Sequence, residues 1–149
     1  MFVNVFPFTN GVDEKDADGV AVPVTATDMQ GYQSNPFVIT DDTNLKRELY
    51  DLQKMIDPGD PDKKREIWHM YPGTYYFSSD VYLNVPKDCV AYLVTPSHMM
   101  AGGCQVGTKL FKPGFKGLID GQVMVNGGEL FLQPGKPVAE LVMVKLQVE

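Results

Sequence analysis

Apolar and polar positions alternate most regularly from Glu66 onward. There, short runs rich in aromatic and β-branched residues are cut by turn signals at Pro72-Gly73, Pro86-Lys87-Asp88, Gly102-Gly103, Pro113-Gly114, Asn126-Gly127-Gly128 and Pro134-Gly135. The runs between the cuts predict strands over 74–77, 81–85, 89–95, 105–111, 117–125, 129–132 and 138–148. Strands spaced in this way predict an all-β sandwich or barrel. Asn126-Gly127-Gly128 carries a hairpin signal. The last run is apolar at Val138, Leu141, Val142, Met143, Val144 and Leu146, which predicts a strand buried on both faces, as at a subunit interface.

The first 65 residues read differently. Residues 2–8 predict an arm or edge strand, because Pro7 removes an amide donor. Residues 12–19 read as a solvated turn. Their Asp-x-Asp-Gly end suits a calcium loop poorly, since Thr25 stands where a bidentate Glu is needed. Strands are expected at 20–25 and 36–40. Leu45, Leu49, Leu52 and Ile56 fall at helical steps after the capping oxygens of Asp41-Asp42-Thr43, and Asp57-Pro58-Gly59 ends the pattern. The spacing therefore predicts one inserted helix over about 44–56. The expected organisation is a single domain over 1–149: an arm, loops and helix in 1–65, and a β core in 66–149.

Composition narrows the function. At 149 residues and 44% hydrophobic, the chain can bury its own core. A formal charge of −6, with no basic cluster longer than Lys63-Lys64-Arg65, argues against general nucleic-acid binding. No leader-like or membrane-spanning stretch is evident, so a cytoplasmic protein is expected. Cys89 and Cys104 sit in apolar contexts and read as buried free thiols. His69 and His98 lack partners at metal-binding spacing, so no metal is expected. Lys109, Lys112 and Lys116 give a modest basic patch around Pro113-Gly114.

Four pieces of the C-terminal half, in order, resemble the dUTPase and dCTP-deaminase superfamily. They are Tyr71-Pro72-Gly73 running to Pro86-Lys87-Asp88, the short serine motif Thr95-Pro96-Ser97-His98, the turn Phe111-Lys112-Pro113-Gly114-Phe115-Lys116-Gly117, and Pro134-Gly135-Lys136-Pro137-Val138-Ala139-Glu140-Leu141. Ala26-Thr27-Asp28-Met29 is similar to the family's early Ala-x-x-Asp-Leu motif. The resemblance implies a distorted β-barrel, usually a homotrimer with sites shared between subunits.

The family's chemistry does not carry over. Its phosphate-gripping Arg-Ser-Ser is matched only by Ser97, with Thr95 at the arginine position. Its water-orienting aspartate is replaced by Lys112, and its proton-shuttling glutamate by Gln122, which does not titrate. The expectation is a non-catalytic assembly or interaction protein of this fold, with viral capsid decoration as one concrete form. The alternatives are a dUTP pyrophosphatase or dCTP deaminase rebuilt around Asp120, Gln122 and Asp28, needing Mg²⁺ if it hydrolyses nucleotide, or a nucleotide-binding regulator. Ser97, Lys112 and Lys116 are the candidate ligand-binding residues.

Overall fold

A computed structural model describes residues 4–6, 21–34, 36–41 and 46–146. Its strands are β1 (Asn4–Phe6), β2 (Ala21–Thr25), β3 (Asp28–Tyr32), β4 (Leu49–Asp51), β5 (Lys54–Ile56), β6 (Glu66–Met70), β7 (Gly73–Asn84), β8 (Cys89–Val94), β9 (Cys104–Val106), β10 (Leu110–Phe111), β11 (Lys116–Val125), β12 (Leu130–Leu132) and β13 (Pro137–Lys145). One short helix, α1 (Ser97–Ala101), and a 3-10 turn, Pro61–Lys63, complete it.

Every strand pair is antiparallel, in three sheets. The first sheet runs β4-β3-β7-β11-β9, with β1 also on β7; the second runs β10-β8-β13-β2; the third runs β12-β6-β5. The architecture is thus mainly β, as the turn spacing predicts.

Alternation explains how the core forms. Along β7, Tyr75, Phe77, Val81 and Leu83 are buried, while the intervening side chains face out. On β8 and β13 the buried members are Cys89, Ala91, Leu93, Leu141 and Met143. These inner faces meet in one cluster that also takes in Val24, Ala26, Met29 and Ile119. Both cysteines are buried free thiols, as expected. From the first 65 residues, β2 and β3 extend the two larger sheets.

Several expectations need correction. The helix over 44–56 is not formed: 49–51 and 54–56 are the strands β4 and β5 (residues 42–45 lie outside the described part). The backbone of these strands completes the open edges of β3 and β6, and Leu52 N–H donates to the Met29 carbonyl at 3.0 Å between them. Of the described residues in the helical stripe, only Leu52 packs on the core; Leu49 and Ile56 are exposed. Satisfying sheet-edge donors and acceptors outweighed a helix whose apolar stripe had no surface to cover.

The strand expected at 36–40 is irregular, with Val38 and Ile39 turned outward. The hairpin expected at 126–128 is also absent, because β12 pairs with β6 rather than β11. The glycines there serve a close approach instead: the N–H groups of Asn126 and Gly127 both donate to the Gly103 carbonyl, and a Cβ on Gly103 would lie 2.7 Å from the Gly127 Cα. Finally, β13 is buried on one face only, with Val142 and Val144 half-exposed on the other. The run expected over 105–111 splits into β9 and β10. The edge-strand expectation for 2–8 holds where it is described, at β1; the turn at 12–19 lies outside the described residues.

Candidate functional site

The outer face of the first sheet carries the polar chemistry. Residues directly opposite in antiparallel strands point to the same face. Asp28 of β3, Ser78 of β7 and Asp120 of β11 form one cross-strand row. Gln30, Tyr76 and Gln122 form the next.

A bulge sets this register. Leu118 faces Tyr82, but Asp120 faces Ser78, so three β7 residues oppose Ile119 alone. The buried Ser79 stabilises the irregularity: its Oγ donates to the Ile119 carbonyl at 2.6 Å and accepts from the Val81 N–H at 3.3 Å. The result places Asp120 beside Tyr76.

Both carboxylate oxygens of Asp120 are engaged, one by the Lys109 ammonium and the other by the Tyr76 hydroxyl. Burial pushes the Asp120 carboxyl up, but hydrogen bonds from Lys109 and Tyr76 together outweigh it, and the group is held below the usual carboxylate range. Tyr76 is pushed up to about 12, first by burial and then by its bond to the carboxylate. Gln122 Nε2 donates to the Tyr32 hydroxyl at 2.9 Å.

These residues floor a cleft of about 730 Å³, walled by Phe37, Lys46, Arg47, Leu49 and Thr74. Arg47 lies over the Phe37 ring at 5.2 Å and donates to the Gln33 carbonyl at 2.9 Å. A smaller cavity of about 230 Å³ adjoins it, formed by Gly107, Thr108 and Lys109 together with Tyr32, Tyr76 and Gln122.

Asp120 and Gln122, suggested from sequence, therefore share one cleft. Asp28 is on the same sheet face but two strands away, roughly 10 Å by strand spacing, and it borders a separate cleft of about 330 Å³ with Asp51, Lys54 and Trp68. Ser97 opens α1 and is exposed, with Pro96 at the N-cap. Lys112 and Lys116 are exposed around the Pro113-Gly114 turn, and none of these three lines the Asp120 cleft.

The Thr95 hydroxyl accepts from the Val106 N–H at 2.9 Å and so fastens β9. Sequence reading did not single out Tyr32, Phe37, Lys46, Arg47 or Thr74 as site residues. The outward phase of β7 could have flagged Tyr76, but no local signal joins 37–47 to Asp120. Among the described residues no group of three or more His, Cys, Asp or Glu could hold a metal ion, and no helix is long and apolar enough to cross a membrane.

The fold defined by these sheets is dUTPase/dCTP-deaminase-like. It aligns with the 2'-deoxycytidine 5'-triphosphate deaminase from Agrobacterium tumefaciens at a TM-score of 0.62 and 10% identity, over 94% of this chain and 43% of that one. The likeness extends beyond the C-terminal half that carries the sequence motifs. A Staphylococcus bacteriophage 80alpha dUTPase mutant with dUpNHpp aligns at a TM-score of 0.49 and 15% identity, over 56% of this chain and 74% of that one. A mutant dUTPase from phage phi11 of S. aureus aligns at 0.48 and 14%, over 56% and 73%. No family model and no curated protein matches the chain. At these identities the likeness establishes fold and leaves chemistry to the residues.

Proposed function

We propose that this chain is a non-catalytic assembly or interaction protein on a dUTPase-like fold. The observation that carries the reading is the engagement of both Asp120 oxygens by Lys109 and Tyr76. A general base must offer a free lone pair and a pKa near the working pH. Asp120 carries a donor on each oxygen and is held below the usual carboxylate range, both of which weaken it as a base; Gln122 beside it cannot titrate; and Thr95 is tied to a backbone amide where the family carries its phosphate arginine.

Assembly as a homotrimer follows from the fold analogy. The second sheet suits it, since its outer face presents half-exposed Val90, Tyr92, Val94, Val142 and Val144. A compact trimer fits a three-fold position on a viral capsid, and decoration of such a particle is the concrete form of this proposal.

The test is turnover of dUTP and dCTP with Mg²⁺ by the purified protein, following pyrophosphate and ammonia beside an active deaminase or dUTPase. No product above background is expected. Turnover abolished by Asp120→Asn would replace this reading with the enzyme one, in which Asp120, Gln122 and Asp28 rebuild the site.

A second reading, a regulator that binds nucleotide without consuming it, is favoured by the size of the Asp120 cleft and its aromatic and cationic walls. In that reading Ser97, Lys112 and Lys116 would reach a ligand across a subunit boundary.

A further inference from the structure

We propose that the outer face of the third sheet, around His69, Tyr71, Phe131 and Glu129, docks a protein segment through an arginine side chain. The inference rests on the interaction reading above and names the chemistry of the partner.

The sheet β12-β6-β5 has two unlike faces. Side chains directly opposite in antiparallel strands share a face, as do alternate residues of one strand. Leu132 opposes Trp68 and Leu130 opposes Met70, and all four join or pack on the main core. The other face carries Phe131 opposite His69 and Met55 opposite Ile67. Tyr71 follows His69 by two residues and closes on its ring. Tyr71 is 59% exposed, Phe131 46% and Met55 40%. Three large apolar side chains turned outward on one short sheet mark a contact surface rather than scattered exposure.

The rings are ordered around an acid. His69 lies against Tyr71 at a centroid distance of 4.4 Å, tilted, and against Phe131 at 4.6 Å, edge-on. A carboxylate only accepts, so His69 Nε2 donates to Glu129 Oε1, at 2.7 Å. That bond holds the carboxylate beside two exposed rings. Among the described residues no lysine or arginine pairs with Glu129. The single lysine of these three strands, Lys54, is spent on the opposite face, over the Trp68 ring at 5.4 Å.

An aromatic, anionic surface without a cation of its own is complementary to a cation brought by a partner, and the formal charge of −6 favours a basic partner as well. A guanidinium fits better than an ammonium. Its plane stacks on an exposed ring while one N–H reaches the second oxygen of Glu129. Met55, on the far strand of the same face, offers contact to an aliphatic neighbour of that arginine. None of these residues lines the Asp120 cleft.

The experiment is NMR titration of the isotopically labelled full chain with the peptide acetyl-Ala-Leu-Arg-Leu-Ala-amide, and with the same peptide carrying citrulline or glutamate in place of arginine. The arginine peptide is expected to shift the amides of 69–71 and 129–131, the citrulline peptide to bind about fivefold more weakly, and the glutamate peptide not to bind. Tyr71→Ala and Glu129→Gln should each weaken the arginine peptide by about two- to fivefold, and Tyr71→Phe should preserve it. Both side chains are more than half exposed, so these variants fold.

No shift at these amides with about 1 mM arginine peptide, equal binding of the citrulline peptide, or affinity unchanged in both Tyr71→Ala and Glu129→Gln overturns the proposal. Shifts at the same amides that grow with protein concentration alone, and vanish in Phe131→Ser, would seat a second copy here and overturn it too. Nucleotide turnover by the wild-type chain would overturn the non-catalytic reading, and the peptide shifts would be read independently of it.

Discussion

The two larger sheets are built alike on their inner faces and differently on their outer ones. Inside, β7 and β11 present Phe77, Leu83, Ile119 and Val123, while β8 and β13 present Ala91, Leu93, Leu141 and Met143, all buried. Outside, β3-β7-β11 presents Asp28, Ser78, Asp120, Gln30, Tyr76 and Gln122, whereas β8-β13 presents Val90, Tyr92, Val94, Val142 and Val144. One scaffold thus offers a polar face with a cleft and a face that is largely apolar apart from Glu140. Polar groups that converge in a concave site suit a small ligand. A largely apolar face suits burial against protein.

Three substitutions, read in four measurements, would break or sharpen this contrast. The largest effect belongs to the shared interior. Phe77→Ala should cost about 3–5 kcal/mol by cavity formation, read as a fall in urea midpoint, and it should loosen both outer faces together.

Next is the apolar face. Val142→Asp places a charge at the centre of the β8-β13 surface and should shift the proposed trimer to smaller species in light scattering, while Asp120→Asn leaves the mass unchanged. A mass unaffected by Val142→Asp would assign the contact to another surface.

A smaller effect belongs to the polar face. Asp120→Asn should cost about 1–2 kcal/mol at neutral pH through loss of charge-assisted bonds at a partly exposed site. The folded-state pKa of Asp120 lies below its ordinary value, so its stabilisation is present above the unfolded pKa and is lost as pH falls through the folded one. The variant should therefore show a shallower loss of stability in acid, measured as melting temperature against pH.

The smallest effect is spectroscopic. Tyr76 should be among the last tyrosines to ionise, near pH 12, in an ultraviolet titration, and Asp120→Asn should bring it down. Its raised pKa favours the neutral phenol, so that contribution is present below about pH 10 and fades as pH rises through about 12. An unchanged titration in Asp120→Asn would detach Tyr76 from the carboxylate.

The contrast between regions also separates what a sequence can carry. From Glu66 onward, alternation and turns foretold most strands within a few residues, because each faces the core on one side and the period of two survives in the side chains. The placing of Asp120 and Gln122 on one face was legible for the same reason. Residues 36–56 were not legible. Their leucines matched a helix, yet β4 and β5 exist because β3 and β6 had edges to complete, a non-local cause that leaves no local period.

By itself, then, the sequence determined the mainly β class, the order of turns and the buried thiols, all properties of residue type and short-range spacing. The tertiary structure alone decided that Lys109 and Tyr76 close on Asp120, that Ser79 holds the bulge aiming it, and that Lys46 and Arg47 reach the same cleft. Those contacts join residues far apart in the chain. Their geometry is set by sheet register and packing, which only the folded chain brings into being.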